Sequence, residues 1–209
     1  MKVMQVEITW LGHASVMIEG AGLHIYVDPW KLMGDLPVAD IVLVTHDHYD
    51  HYSEDDIRRI KVEDTVVVCS SKRPLVGEVM LPGDNKVIKG VKIESVPAYN
   101  IKKDFHPRAN NWVGYIVDLD GMRIYHAGDT DRIPEMKGLG VDVAILPVGG
   151  TYTMDAEDAI GAIGDIKPRH VIPIHFGDIV GSKADAERLL QAKTASIHIL
   201  DPGGKVKLD

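Results

Sequence analysis

The sequence predicts a mixed α/β fold, and three observations predict it. Short apolar runs bounded by polar residues recur at 41–44, 141–147 and 171–174, the mark of strands buried on both faces. Segments with helical spacing follow these runs, beginning at Ser53, Asp155 and Ser182. Alternating segments elsewhere are joined by turn signals such as Gly20-Ala21-Gly22 and Asp120-Gly121 and read as hairpins. Strands leading into single helices, in two similar halves, fit two sheets packed face to face with helices outside.

Composition bounds the rest. The 209 residues carry 45% hydrophobic and 26% charged side chains, which suits one domain, 1–209, with a substantial core. A net charge of -8 disfavours general electrostatic binding to nucleic acid or anionic membranes, so a nucleic-acid partner is not expected. No apolar run approaches the length of a membrane span, and the first residues alternate instead of forming a signal peptide's apolar core. Cys69, the sole cysteine, has no internal disulfide partner and reads as a small apolar group in a strand. The expectation is a cytoplasmic, enzyme-sized domain acting on a small-molecule substrate. Oligomeric state has no sequence signal.

In chain order, strands are expected at 3–10, 15–19 and 23–27. The third ends at Asp28-Pro29, where the proline should force extended geometry on Asp28. After strand 41–44, acids in the turn following Ser53 and the apolar pair Ile57 and Ile60 predict a helix. Strands follow at 64–70, 85–89 and 91–97; Pro74 and Gly77 argue against a long helix in 72–81. Residues 100–111 form a polar loop, and 112–119 with 122–126 form a second hairpin. Beyond strand 141–147, the helix 155–166 carries Ala156, Ala159, Ile160 and Ile163 on one stripe. Strand 171–174 precedes a helix at 182–193, capped by Ser182 with Ala186, Leu189 and Leu190 inward. Strands at 197–200 and 205–208 close the chain.

The chemistry concentrates in Thr45-His46-Asp47-His48-Tyr49-Asp50-His51, directly behind the buried run 41–44. Loops at the C-terminal ends of such strands are where α/β folds place ligand sites. His46 and His48 are two apart and face one side of an extended chain, with Asp50 and His51 one turn on. Imidazole and carboxylate together suit zinc or another borderline divalent ion. The alternative is a solvated loop that happens to be rich in histidine. Two further strand ends repeat the pattern, at Gly128-Asp129-Thr130 and at Ile174-His175-Phe176.

The segment H-x-H-x-D-H, with G-D-T at 128–130 and His175, resembles the metallo-β-lactamase superfamily over residues 10–175. Within it the chain is similar to hydrolases like L-ascorbate-6-phosphate lactonase. The resemblance implies a four-layer αββα sandwich. It also implies a metal set of His46, His48, Asp50, His51, Asp129 and His175, with Asp129 spanning two ions. Asp28 would support the metal loop from beneath, although a turn or helix-cap role is open. His13, in Gly12-His13-Ala14-Ser15, would lie at the edge of the site, although a core or surface histidine is open too. One departure stands out. Where related hydrolases carry a ligand histidine after the strand ending at 97, this chain has Asn100. His106 is the expected substitute, with His126 as the alternative or an incomplete first site as the remaining outcome. His24, His170 and His198 are not expected to bind metal, His24 and His198 lying in strands and His170 in a loop.

A metal in this setting lowers the pKa of bound water to about 7. No serine or cysteine sits in a nucleophile's setting. Asp50 would orient the water or take its proton, and Tyr49, Tyr52, Tyr152 and Thr153 are candidates for substrate contact. A glutamate replaces the second histidine in diiron relatives, so His48 favours Zn2+, with Mn2+ or Ni2+ as alternatives. The expected activity is hydrolysis of an ester, lactone or phosphodiester. A nucleic-acid phosphodiesterase and a non-catalytic metal-binding module are the alternatives.

Overall fold

The computed structural model describes residues 5–209. Two seven-stranded sheets, each built in the same way, account for its architecture. In the first, β1 (Val6–Gly12), β2 (Ser15–Gly20) and β3 (Leu23–Val27) run antiparallel. They are continued in parallel by β4 (Ala39–Val44), β5 (Lys61–Cys69) and the short β6 (Glu78–Val79). In the second, β7 (Asn85–Ile88), β8 (Val91–Pro97), β9 (Val113–Leu119) and β10 (Met122–His126) run antiparallel. The parallel extension is β11 (Val143–Pro147), β12 (His170–Ile174) and β13 (Ser196–Ile197). The C-terminal β14 (Lys205–Leu208) returns to the first sheet beside β1.

Alternation along the strands decides which face meets which layer. On β4, Ile41 and Leu43 join the large cluster shared by both sheets, while Val42 and Val44 join a second cluster with Met17, Tyr26, Val67 and Cys69. The helix α1 (Glu54–Ile60) covers that outer face with Ile57 and Ile60. On the far side, α2 (Ala156–Ile166) and α3 (Lys183–Arg188) cover the second sheet, inserting Ala159, Ala162, Ile163 and Ala186 into the large cluster. The result is the four-layer αββα sandwich that the resemblance implies. The sheets also bond directly, since the Tyr115 hydroxyl donates to the Val44 carbonyl across the interface.

Several local expectations are corrected. Val3 and Met4 lie outside the described residues, and β1 begins at Val6. The helix expected at 182–193 ends at Arg188 and tightens into a 3-10 turn over Leu189–Gln191. The tighter winding breaks the 3.6-residue spacing, so Leu189 is buried and Leu190 is left in solvent. The strand expected at 197–200 is only Ser196–Ile197, and His198 lies just past it, while His170 opens β12 instead of lying in a loop. Asp28 is not extended: its φ is 48°, a left-handed conformation held by the hydrogen bonds described next.

Candidate metal centre

The candidate side chains hang from strand ends, except His106, which lies in the loop between β8 and β9. β4 delivers the 45–51 loop. Within it the His48 carbonyl accepts from the amides of His51 and Tyr52, a turn that brings Asp50 and His51 around to face His46. Ser53 then caps α1 by accepting from the Asp56 amide, which fixes where the loop ends. β10 leads to Asp129 through Gly128, whose φ is 65° and whose added Cβ would stand 3.0 Å from Thr45. Only glycine combines that turn with that approach. β12 ends at His175, whose amide donates to the His13 carbonyl, and both residues hold left-handed φ values.

Three overlapping groups of donor atoms result, each within 4.8 Å. They are His46, His48 and His106; His46, His51 and Asp129; and His13, Asp50, His51 and His175. Asp129 is the hub, with one carboxylate oxygen 3.2 Å from Nε2 of both His106 and His175 and the other 3.4 Å from Nε2 of His51. Nε2 of His51, His106 and His175 and Oδ1 of Asp129 are buried without a hydrogen-bond partner. Buried polar atoms are nearly always paired, and four convergent exceptions define a place for an ion. The donor set, imidazole nitrogen with carboxylate oxygen, fits a borderline divalent metal.

The opposite edges of His51 and His46 are held by one buried carboxylate and its threonine partner. His51 Nδ1 donates to Asp28 at 2.8 Å, and Asp28 also accepts from the Thr45 amide at 2.7 Å and the Thr45 hydroxyl at 2.8 Å. Having spent its proton on Asp28, the Thr45 hydroxyl accepts from His46 Nδ1 at 3.0 Å. Fully buried Asp28 therefore sets the tautomer of two candidate ligands at once. Burial pushes His46 well below its ordinary pKa and His48 below it, so both remain neutral lone-pair donors at pH 7. Burial alone would raise the Asp129 carboxyl. The charges of His175 and His51 outweigh this and hold it well below the usual carboxylate range.

His126 and His106, the two histidines open as substitutes at Asn100, have different surroundings. His126 uses both ring nitrogens elsewhere, with Nε2 donating to the Ala14 carbonyl and Nδ1 accepting from the Gly128 amide. His106 instead folds back over the cluster, 99% buried, beside His46 and His48. Asn100 faces the back of that histidine: its Oδ1 accepts from the His106 amide at 2.9 Å and from Nδ1 at 3.1 Å. Its side-chain amide donates to Asp131 and to the Tyr152 carbonyl, and Lys103 clamps Asp131 at 2.7 Å. His13 does reach the edge of the cluster, with Nε2 3.1 Å from Asp50.

A cavity of about 280 Å³ opens over the cluster, with Tyr49 and Tyr152 on its walls. Tyr52 and Thr153 are not there. The Tyr52 hydroxyl accepts from the Leu75 amide against the α1 cluster, and Thr153 is buried. Missed by sequence reasoning were Phe105 and Ile179 on the cavity wall and Trp112, whose ring lies 4.7 Å from His48 and 4.8 Å from His46. Phe105 precedes His106, so the adjacency was a usable signal. Ile179 had none.

A family model described as a beta-lactamase superfamily domain matches residues 7–175. The chain belongs to that superfamily. A relative described as a UPF0173 metal-dependent hydrolase, from Pyrococcus furiosus, is 36% identical over 97% of this chain and 100% of its own length. A crystal structure from Parabacteroides distasonis, provisionally assigned as a metal-dependent hydrolase, superposes with a TM-score of 0.84 at 36% identity. It covers 93% of this chain and 92% of that one. A Thermotoga maritima protein, provisionally assigned as a Zn-dependent hydrolase of the metallo-β-lactamase superfamily, shares the fold with a TM-score of 0.63. It is 21% identical over 93% of this chain and 97% of its own. Among the described residues no helix is long and apolar enough to cross a membrane.

Proposed function

We propose that this superfamily member is a metal-dependent hydrolase that cleaves an ester, lactone or phosphodiester bond of a small molecule with metal-activated water. The observation that carries the reading is the set of orphaned, buried nitrogens and carboxylate oxygen converging on Asp129. One ion would be held by His46, His48 and His106, a second by Asp50, His51 and His175, and Asp129 would reach both. Three imidazoles with one carboxylate at the first position favour Zn2+, with Mn2+ and Ni2+ as alternatives. When bound, the metal supplies a water acidified to near neutral pH and a Lewis acid for the substrate's carbonyl or phosphoryl oxygen.

The chain's own residues do the remaining work. Asp50 stands at the cavity with His13 at 3.1 Å, so the histidine fixes the carboxylate while the carboxylate accepts the proton of the attacking water. Burial raises the Asp50 carboxyl, and the His13 hydrogen bond with the His51 charge more than offsets this, keeping it ionised and able to accept. His106, itself buried, covers the cluster beside the cavity opening. We place the activity in the cytoplasm, a reading supported by a single buried thiol and no disulfide.

Elemental analysis of purified protein, with turnover of bis-p-nitrophenyl phosphate, p-nitrophenyl esters and simple lactones, tests the reading. Bound divalent metal with turnover abolished by Asp50→Asn and by chelation is expected. Full metal occupancy with no turnover of any of these classes would leave a binding module. Inhibition by competing RNA would favour a nucleic-acid substrate.

A further inference from the structure

We propose that the cavity selects an uncharged carboxylic ester or lactone with a short apolar acyl chain over phosphate esters and acids; the proposal rests on the hydrolase reading above. Apart from the candidate metal-holding side chains, the cavity is walled by Tyr49, Phe105, Tyr152 and Ile179. None is cationic. Phe105 and Tyr152 form an edge-to-face pair with centroids 4.7 Å apart, so two loops far apart in sequence build one apolar wall. Tyr49, Phe105 and Ile179 are 70%, 49% and 44% exposed, which leaves three large apolar groups wet around a single opening. Apolar groups gathered around a polar floor mark a ligand site, and scattered ones do not.

Four cations on the surrounding loops are already paired with carboxylates. Lys31 pairs with Asp178 at 2.7 Å, Arg73 with Asp47, Lys103 with Asp131 at 2.7 Å and Arg108 with Glu135 at 2.9 Å. A phosphoryl group would bring charged non-bridging oxygens that, once the metals were served, would meet neutral phenol hydroxyls at most and otherwise phenyl and alkyl surface. An unpaired charge against such walls carries a desolvation penalty that a neutral acyl chain avoids. Volume agrees, because about 280 Å³ admits a small ester and lies below the usual range for drug-sized ligands. In the reaction, water oxygen bonds to the acyl carbon and the acyl carbon–oxygen bond breaks. The leaving oxygen takes the proton that Asp50 accepted. The products are an acid and an alcohol, or one hydroxy acid from a lactone.

Metal-replete protein assayed on p-nitrophenyl butyrate, p-nitrophenyl hemisuccinate and bis-p-nitrophenyl phosphate tests this with one leaving group. The butyrate should exceed the other two by about tenfold or more in kcat/KM. Phe105→Ala should cut butyrate kcat/KM about tenfold, chiefly through KM, and Ile179→Lys should shift preference toward the hemisuccinate at least about fivefold. Equal or faster turnover of either anionic substrate, or a preference unmoved in both variants, overturns the proposal. If none of the three is hydrolysed, the hydrolase reading fails on its own, and the neutral fluorophore N-phenyl-1-naphthylamine decides the apolar selection. Binding weakened by Phe105→Ala sustains that selection, and unchanged binding overturns it.

Discussion

At the scale of single residues, the centre depends on what holds the back of each imidazole. Asn100 illustrates this, because it stands where the resemblance implies a ligand histidine and here grips His106 through both its amide and its ring. Asn100→Ala would remove the acceptor shared by the His106 amide and Nδ1, leaving the ring only the Tyr152 carbonyl at 3.2 Å, and would take one donor from Asp131. The expected outcome is metal affinity at the His46–His48–His106 end weakened about 10- to 100-fold, read by competition with a chromophoric chelator. The Asp50–His51–His175 end should titrate as before, and an unchanged first end would show that His106 needs no such support. The sequence exposed the ligands themselves, because H-x-H-x-D-H and G-D-T place donors at strand ends. It could not expose the partner of each ligand. That Asp28 accepts from Thr45 and His51 together, or that Asp131 anchors Asn100, depends on loops that meet only in three dimensions. The left-handed Asp28 shows the same limit: a preference of the residue before proline yielded to three hydrogen bonds.

At the scale of elements, the strand ends are precise because the strands are tightly docked. A Cβ on Gly114 of β9 would stand 2.6 Å from the His126 carbonyl and 2.7 Å from that of Ala127, both backbone atoms of the segment that carries Asp129. Neither can yield without moving β10. Gly114→Ala should therefore cost about 1–3 kcal/mol in urea unfolding and also lower metal affinity. Gly164, on the exposed side of α2, has nothing within 4 Å of an added Cβ. Gly164→Ala should stabilise the protein by about 0.5–1 kcal/mol through helix propensity, with metal binding unaltered. Interior strands and the capped helices α1 and α2 were legible because periodicity and capping agree there. The 182–200 region was not, since a 3-10 turn and a two-residue strand leave no periodic signature of their own.

At the scale of the molecule, the two halves repeat one plan of antiparallel strands extended by parallel ones, and the rim between the sheets receives donors from both. Alternation and turns predicted mixed α and β; the pairing of the sheets into four layers came from the resemblance, since no local pattern states which faces meet. Because His46, His51 and Asp129 come from different sheets and are all more than nine-tenths buried, an ion joining them cross-links the sandwich. Removing it leaves buried imidazoles and a buried carboxylate to satisfy one another. An ion at about 100 times its dissociation constant stabilises the native state by about 2.7 kcal/mol, and each kcal/mol shifts Tm by about 2–4 °C in a domain of this size. Chelation followed by buffer exchange should therefore lower Tm by about 5–10 °C in calorimetry, with full recovery on adding Zn2+. In Asp129→Asn the same treatment should produce a much smaller shift, since the side chain that touches both clusters would no longer bring a charge to the ion. A Tm indifferent to chelation in the native chain would mean that the two sheets stay registered by their apolar faces alone, and the rim would then be a set of histidines preorganised at a cost that no ion repays.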